Sequence, residues 1–306
     1  MNNRTNSIIL AIIACLLWST AFAGIKVGLA YTSPLAFAGT RFFLSGLLIL
    51  PFTCRPGRYI RTVRDNYGIL ILLAFTQTFL NYALFYTGMD LVPAAVGAII
   101  IGIQPFIIAV IASLMMRNEP FTKKRTITLI AGIAGVIFVS AGRQTLNLGE
   151  EVEIIGILLL LAVNFTSGFS NIIVSRYGRK ISPLVLSSFS LLAGGLSLFL
   201  ISIPLEGYTS FRQPFEYWAS LGWLSFMSAA AFSLWYRALH IPDVKVSDLN
   251  LWKFIIPVLG AILSWVILPE ESPDRVTVTG MLIISVSLLF FFRFKKRPAN
   301  KKTSGI

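Results

Sequence analysis

The stretch that decides the fold is NYALFYTGMDLVPAAVGAIIIGIQPFIIAVIASLMMRNE, residues 81–119, because its pattern returns later in the chain. The second copy is AFSLWYRALHIPDVKVSDLNLWKFIIPVLGAILSWVILPEE, residues 231–271. Three pairs of landmark residues align between the copies: Gly88 with Ala238, Pro105 with Pro257, and Glu119 with Glu271. The proline and the glutamate are separated by the same number of residues in both copies. An internal repeat in a strongly apolar chain is typical of secondary transporters.

The composition describes a chain whose solvent is mostly lipid. Of its 306 residues, 56% are hydrophobic and 13% are charged, and the mean hydropathy is +0.77. These values exclude an ordinary soluble domain. The two cysteines, Cys15 and Cys54, lie in or beside apolar segments, and His240 is the single histidine. We therefore expect no disulfide framework, no metal site and no cofactor.

Apolar runs of roughly 20 residues, the length that crosses a bilayer, occur ten times. The predicted segments 1 to 10 are 7–28, 34–53, 67–89, 92–116, 126–142, 154–176, 183–203, 215–239, 246–268 and 276–294. The connections are short and leave no room for a soluble domain. The first segment also resembles a signal peptide, with Ala21-Phe22-Ala23 as the cleavage site. We interpret it as a span, because cleavage would remove the repeat counterpart of segment 6.

The basic residues predict the orientation of the chain. With the N-terminus in the cytoplasm, most of them fall on the cytoplasmic side: Arg4; Arg55, Arg58, Arg61 and Arg64; Arg117, Lys123, Lys124 and Arg125; Arg176, Arg179 and Lys180; Arg237 and Lys245; and the 293–302 tail. The opposite loops hold Lys26, Arg143, Arg212 and Arg275. This asymmetry follows the positive-inside rule and predicts that both termini are cytoplasmic.

The net charge of +13 and the pI near 10 therefore reflect the basic residues of the cytoplasmic loops. They do not indicate a nucleic-acid partner. Contact of the Lys295-Lys296-Arg297 tail with anionic headgroups is expected as a surface effect. The expected partners are a small-molecule substrate and the lipid bilayer, and the sequence does not predict an oligomeric state.

Five spans per repeat is an odd number, so the second repeat enters the membrane from the opposite side. The fold class is thus an all-α, multi-pass membrane protein with two inverted five-helix repeats, residues 1–148 and 149–306. Such repeats are related by a pseudo-two-fold axis in the membrane plane, which lets one packing geometry serve an outward-open and an inward-open state.

The chain resembles the drug/metabolite transporter superfamily, in particular ten-helix EamA-type permeases, over residues 7–294. The resemblance is carried by LLWSTAFAGIKVGL in segment 1, FAGTRFFLSGLLIL in segment 2, and the paired segments 4 and 9 with their apolar-Pro-apolar-Glu pattern. It implies alternating access and the export of amino acids, small metabolites or drugs from a bacterial cell through the inner membrane.

Two basic residues lie inside predicted spans, where a charge costs about 2.5–3.5 kcal/mol on insertion scales. Lys253 in segment 9 aligns with neutral Ile101, so the repeat does not demand a charge there. It either faces a substrate cavity or snorkels to the interface, and Asp248 is poorly placed on the same helix to pair with it. For Arg41 in segment 2, we favour a structural role over a gating or binding role.

Other polar and aromatic residues are predicted near the middle of their segments. Trp18 in segment 1 aligns with Asn164 in segment 6, and Gln77 and Asn81 share a face of segment 3. Substrate sites of inverted-repeat transporters lie at this depth between the repeats. The candidate substrate-binding residues are Trp18, Gln77, Asn81, Tyr82, Gln104, Asn164 and Lys253. The alternative for each one alone is packing or hydrogen bonding between helices.

Pro105 and Pro257 occupy matched positions, where a missing amide hydrogen bond is expected to kink segments 4 and 9. These kinks are candidate bending points for alternating access. Gly24 and Gly28 have the GxxxG spacing of close helix packing.

The sequence predicts an exporter of amino acids or carboxylates and no enzyme, since it contains no HExxH or GxSxG motif and no histidine within a span. An exporter of amine drugs with the same fold is the first alternative, and a channel or receptor is a more distant one. Segment interiors lack a clear Asp or Glu for proton coupling, Asp248 being the nearest.

Overall fold

The computed structural model describes residues 3–53, 55–116, 151–177, 180–208, 212–242 and 244–267, with isolated positions at 127, 130 and 210 and between 272 and 286. The helices are α1 (Asn3–Ser19), α2 (Ala21–Leu29), α3 (Pro34–Ile49), α4 (Pro56–Asp65), α5 (Tyr67–Leu73), α6 (Asn81–Asp90), α7 (Ala94–Ile101), α8 (Gln104–Met115), α9 (Glu151–Tyr177), α10 (Pro183–Glu206), α11 (Phe215–His240), α12 (Val246–Asn250) and α13 (Ile255–Ile267). These ranges contain no strand.

Five helical stretches are long and apolar enough to cross a membrane: Thr5–Leu29, Pro34–Phe52, Tyr67–Asp90, Glu151–Arg176 and Pro183–Glu206. They correspond to predicted segments 1, 2, 3, 6 and 7, and α11 covers segment 8. The all-helical membrane fold is therefore confirmed. Most of segments 5 and 10, together with Glu119 and Glu271, lies outside the described residues.

Large apolar side chains point away from the protein along several of these helices. Leu200 of α10 and Phe226 of α11 are each 56% exposed, and Val266 of α13 is 77% exposed. Apolar surface on this scale marks a molecule that faces lipid, because soluble proteins keep such patches small.

Segments 4 and 9 are interrupted helices. In segment 4, α7 ends at Ile101 and α8 begins at Gln104, so that Pro105 lies in the first turn of α8. In segment 9, a 3₁₀ turn over Leu251–Phe254 separates α12 from α13. Pro257 lies in the first turn of α13. Pro105 thus stands at the start of a helix, where its missing N–H needs no partner, whereas Pro257 is the third residue of α13 and follows directly on the 3₁₀ turn.

Two more irregularities fall in segments 1 and 3. A single turn residue, Thr20, separates α1 from α2. In segment 3, a π-helical stretch over Ala74–Leu80 joins α5 to α6. Stretches of π-helix inside α-helices are frequent at functional sites. Four of the described spanning segments are therefore irregular, and all four contribute residues to the site described below.

The basic stretch predicted as a loop at 55–64 is mostly helical, because α4 covers Pro56–Asp65. Tyr59 and Val63 pack against the core, and the Tyr59 hydroxyl accepts a hydrogen bond from Ser188 at 3.1 Å. The four arginines between 55 and 64 are exposed. Helix α4 is therefore amphipathic, with one face on α10 and a basic face outside.

Helices α3 and α10, one from each half of the chain, cross with their backbones in contact. A Cβ on Gly39 would lie 2.3 Å from the backbone nitrogen of Phe199, and one on Gly195 would lie 2.4 Å from that of Phe43. No side chain fits in such spaces, so the crossing depends on glycine.

The same helix pair is joined at one end by Glu206, the last residue of α10. Its carboxylate accepts hydrogen bonds from the backbone N–H groups of Leu35 at 2.9 Å and Ala36 at 3.1 Å. Both amides belong to the first turn of α3, where no partner exists within the helix. The negative charge also complements the positive end of the helix dipole.

Candidate functional site

A cavity of about 90 Å³ lies between the irregular segments of the two halves. Helices α1 and α2, the π-helical stretch with α6, and the break before α8 contribute from the first half. Helices α9, α11 and the 3₁₀ turn before α13 contribute from the second half. The sequence candidates in its wall are Trp18, Arg41, Gln77, Asn81, Tyr82, Gln104 and Lys253.

Lys253 points into this cavity and is only 7% exposed. Its ammonium group donates a hydrogen bond to the side-chain oxygen of Gln104 at 2.7 Å. It also lies 4.7 Å from the ring centre of Trp235 and 5.5 Å from that of Trp18, within the range of cation–π attraction. The snorkelling alternative does not describe this conformation, because the side chain turns inward. Its repeat counterpart, Ile101, lines the same cavity.

Arg41 also lines the cavity, but its hydrogen-bond donors point into the protein. Its Nε and Nη2 atoms donate to the Ser228 hydroxyl at 3.0 and 2.8 Å, and Nη1 donates to the Tyr86 hydroxyl. The guanidinium lies 4.8 Å from the ring centre of Phe42. These contacts join α3 to α6 and α11, as expected for a structural role, and none of these partners carries a charge.

Asn81 and Gln77 both face the cavity from segment 3. The side-chain oxygen of Asn81 accepts hydrogen bonds from the hydroxyls of Thr166 and Ser167, each at 2.7 Å. This part of the wall therefore combines a polar binding surface with a hydrogen-bonded contact between α6 and α9. Both roles considered for Asn81 from the sequence are compatible with its position.

Asn164 is the candidate that does not line the cavity. It is fully buried, and its amide donates to the backbone oxygen of Ile100 at 3.0 Å. That oxygen lies in the last turn of α7 and also accepts from the Ile103 N–H at 3.2 Å, so Asn164 adds a second hydrogen bond at the break of segment 4. Its substrate contact remains a prediction, and its position supports the cavity wall from behind.

Several wall residues were not among the sequence candidates, above all Trp235, Phe232 and Phe85. Trp235 is fixed by a hydrogen bond from its indole N–H to Asn171 at 2.8 Å, and its ring lies 5.5 Å from that of Trp18. The repeat contained a signal for Phe232, because its counterpart Tyr82 was a sequence candidate. The alignment of Gly88 with Ala238 also pairs Tyr82 with Phe232 and Phe85 with Trp235.

The charge of the cavity follows from its described wall. Two cationic side chains, Lys253 and Arg41, line it, and the wall residues that the structure describes include no Asp or Glu. The side chain of Asp248 lies outside the described set. Aromatic rings and amides surround the cations, so the described wall combines apolar faces, neutral hydrogen-bonding groups and positive charge.

The comparison with protein families identifies two matches to the EamA-like transporter family, at residues 5–141 and 154–293. Among curated relatives, the uncharacterized transporter YvbV of Bacillus subtilis is 23% identical over 303 residues, which cover 99% of this chain and 96% of the relative. The probable amino-acid metabolite efflux pump of Salmonella typhimurium is 26% identical over 298 residues, with 94% and 95% covered.

A crystal structure with 17% sequence identity has the same fold, with a TM-score of 0.72 over 95% of this chain and 99% of the other. The family matches cover nearly the whole sequence, and the relatives are named as transporters and pumps instead of enzymes. This protein is therefore a multi-pass membrane transporter of the EamA-like transporter family, as its resemblance to the drug/metabolite transporter superfamily indicated.

Proposed function

We propose that this transporter exports small organic solutes bearing a carboxylate, namely amino acids or simple carboxylates, by alternating access around the cavity. The observation that carries the proposal is the ammonium group of Lys253, which is buried at the cavity and has only neutral partners among the described residues. A buried charge without a counter-charge is costly, and a ligand of opposite charge relieves that cost. Arg41 adds a second positive charge to the same wall.

Alternating access is supported by the positions of the interrupted helices. Gln104 begins α8 after the break in the first half, and Lys253 lies in the 3₁₀ turn of the second half. Their hydrogen bond is therefore a contact between the repeats at the cavity. Interrupted helices at a repeat interface are the usual substrate sites of such transporters, and a single bond between side chains can break as one repeat moves against the other.

Export is the direction suggested by the relatives in Salmonella typhimurium and Escherichia coli that are named probable amino-acid metabolite efflux pumps. For a net anion, an inside-negative potential contributes about 2.3 kcal/mol per charge per 100 mV toward export. A carboxylate could then leave the cell without a coupled proton. A zwitterionic amino acid would not gain this electrical drive, so the two substrate classes should differ in voltage dependence.

An exporter of amine drugs is the second candidate, because the rings of Trp18 and Trp235 already face a cation. It ranks lower because Lys253 and Arg41 would both repel a bound amine. A channel or a receptor would not accumulate solute against its gradient, so flux measurements separate these classes from a coupled transporter.

The test is flux of amino acids, monocarboxylates and amines in proteoliposomes with an imposed potential. We expect Lys253→Met to lower carboxylate flux at least about tenfold, since an ion pair in a low-dielectric site contributes more than about 1.4 kcal/mol. Lys245→Met is the matched control, because Lys245 is exposed and lies just before α12. Carboxylate flux at the wild-type rate in Lys253→Met would remove the basis of the proposal.

The proposed orientation has both termini and α4 in the cytoplasm of a bacterium, with the spans in its inner membrane. It rests on the distribution of basic residues. Labelling of single cysteines in intact cells checks it. A cysteine at position 58 should react only after the membrane is permeabilised, and one at position 212 should react in intact cells. The reverse pattern would overturn the orientation, and reaction of both cysteines from the same side would overturn the inverted repeats.

A further inference from the structure

The ammonium group of Lys253 occupies a three-sided site that we call the ammonium cage, formed by the rings of Trp18 and Trp235 and the side-chain oxygen of Gln104. The ring centres lie 5.5 and 4.7 Å from Nζ, and the oxygen lies 2.7 Å away. Aromatic faces combined with an oxygen acceptor are how proteins bind the ammonium groups of ligands. Here the occupant belongs to the protein itself.

The walls of the cage are held by groups other than Lys253. The Trp235 indole donates to Asn171 at 2.8 Å, and the ring is 1% exposed. Trp18 packs edge to face on Phe232 at 5.4 Å. Since neither ring depends on the lysine for its position, the cage should persist when the ammonium group leaves it.

The ammonium group of Lys253, in contrast, is held in the cage by weak interactions. Within the part of the chain that the structure describes, its only hydrogen bond is the one to Gln104, a neutral acceptor. Its four-carbon stem is flexible and its charge is carried at one point, so the ammonium group can move several ångströms without a change in the backbone. A carboxylate entering the cavity offers it a stronger, charge-assisted partner than an amide oxygen.

We propose that Lys253 is a tethered occupant of the ammonium cage and that a zwitterionic amino acid takes its place. The carboxylate of the amino acid draws the lysine ammonium out of the cage, and the α-ammonium group of the amino acid enters it. The two groups of an α-amino acid are bonded to the same carbon atom, so both contacts form within a small cavity. This inference rests on the proposed function and narrows its substrate class.

Charge balance gives the exchange its selectivity. A zwitterion leaves the net charge of the cavity unchanged and fills both positions. A simple carboxylate draws Lys253 out but leaves the cage empty, and an amine meets the lysine charge without bringing a counter-charge. The expected order of binding is therefore amino acid, then carboxylate, then amine. Lys253 would act as an internal competitor that excludes cations from the aromatic wall.

The first experiment uses wild-type protein and three compounds with one apolar body: leucine, 4-methylpentanoate, which lacks the amine, and isoamylamine, which lacks the carboxylate. Calorimetry on purified protein should find leucine bound at least tenfold more tightly than 4-methylpentanoate, and isoamylamine weakest. Equal affinity for leucine and 4-methylpentanoate would overturn the exchange and leave the carboxylate site standing. Tightest binding of isoamylamine would overturn the proposed function as well.

The second experiment uses tetramethylammonium as a probe of the cage alone. Lys253→Ala removes both the charge and the occupant, whereas Lys253→Met removes the charge and keeps a chain in the cage. We expect at least tenfold tighter binding in Lys253→Ala than in Lys253→Met, and loss of the gain when Trp235→Leu is added. If Lys253→Ala and Lys253→Met bound tetramethylammonium equally and both unfolded normally, the lysine would exclude cations by its charge alone. That result would overturn the proposal that its side chain occupies a cation site.

Discussion

Two of the contacts between the halves of this transporter have opposite character. At the crossing of α3 and α10, glycines bring backbone against backbone, and Glu206 joins the ends of the pair. At the cavity, the halves meet through the flexible side chain of Lys253, which reaches Gln104 and two aromatic rings. The crossing has no space in which to change, whereas the cavity contact can break and form again. For the proposed alternating access, the first contact suits a fixed axis and the second suits a gate.

The largest effect is expected at the crossing, for Gly39→Val. Its new side chain would meet the backbone of Phe199, which cannot move without displacing α10. We expect a loss of stability of about 3 kcal/mol or more, or no folded protein. Size-exclusion profiles and thermal unfolding measure it. Gly222→Val is the matched control, since a Cβ on Gly222 meets nothing within 4 Å. Wild-type stability of Gly39→Val would mean that the crossing is not rigid.

The next effect is expected at the gate, for Trp18→Ala. The indole N–H of Trp18 has no hydrogen-bond partner among the described residues, so truncation breaks no such bond. The variant loses one cation–π interaction, which contributes about 0.5–2 kcal/mol. We therefore expect transport to fall by up to roughly thirtyfold, while most of the protein stays folded. Trp18→Phe should restore part of the flux. Loss of folded protein parallel to the loss of transport would instead indicate packing as the role of Trp18.

The smallest effect is expected for Glu206→Gln, which keeps an acceptor for the amides of α3 but removes its charge. We expect a loss of about 1 kcal/mol, the usual size of such end effects, and unchanged transport per folded molecule. Thermal unfolding measures the first quantity and proteoliposome flux the second. Glu216→Gln, an exposed acid in the first turn of α11, should change stability less. A clear drop in flux for Glu206→Gln would indicate that the Glu206 end of the α3–α10 crossing moves during transport.

Much of the fold could be predicted from the sequence, because the cost of exposing polar backbone to lipid allows few alternatives to apolar helices. The repeat also predicted that segments 4 and 9 are irregular near Pro105 and Pro257. It did not predict where they break. The break in segment 4 also involves Asn164, a residue of α9 that bonds to Ile100. Such a contact depends on tertiary packing, which local sequence patterns do not report.

The candidate site shows the same limit at the level of single residues. Lys253 could be predicted as a site residue because a charge within a span is rare. Trp235 could not, because it lies in an apolar run where an aromatic residue is the ordinary composition of a span. The partner of Arg41, Ser228, lies 187 residues away in the chain. Polar side chains that satisfy one another across such distances cannot be paired by spacing alone. Helix α4 was not predicted for another reason, because its four arginines mask the helical spacing of the two residues that pack on the core, Tyr59 and Val63.

The crossing of α3 and α10 also sets the order in which the molecule can be assembled. The Leu35 amide and its acceptor, Glu206, are 171 residues apart, and synthesis runs from the N-terminus. Helix α3 is therefore inserted into the bilayer well before α10 exists, with its glycine face and its first amides unpartnered. Folding is completed only when the second half arrives, so a chain truncated near residue 150 should be a target for membrane quality control.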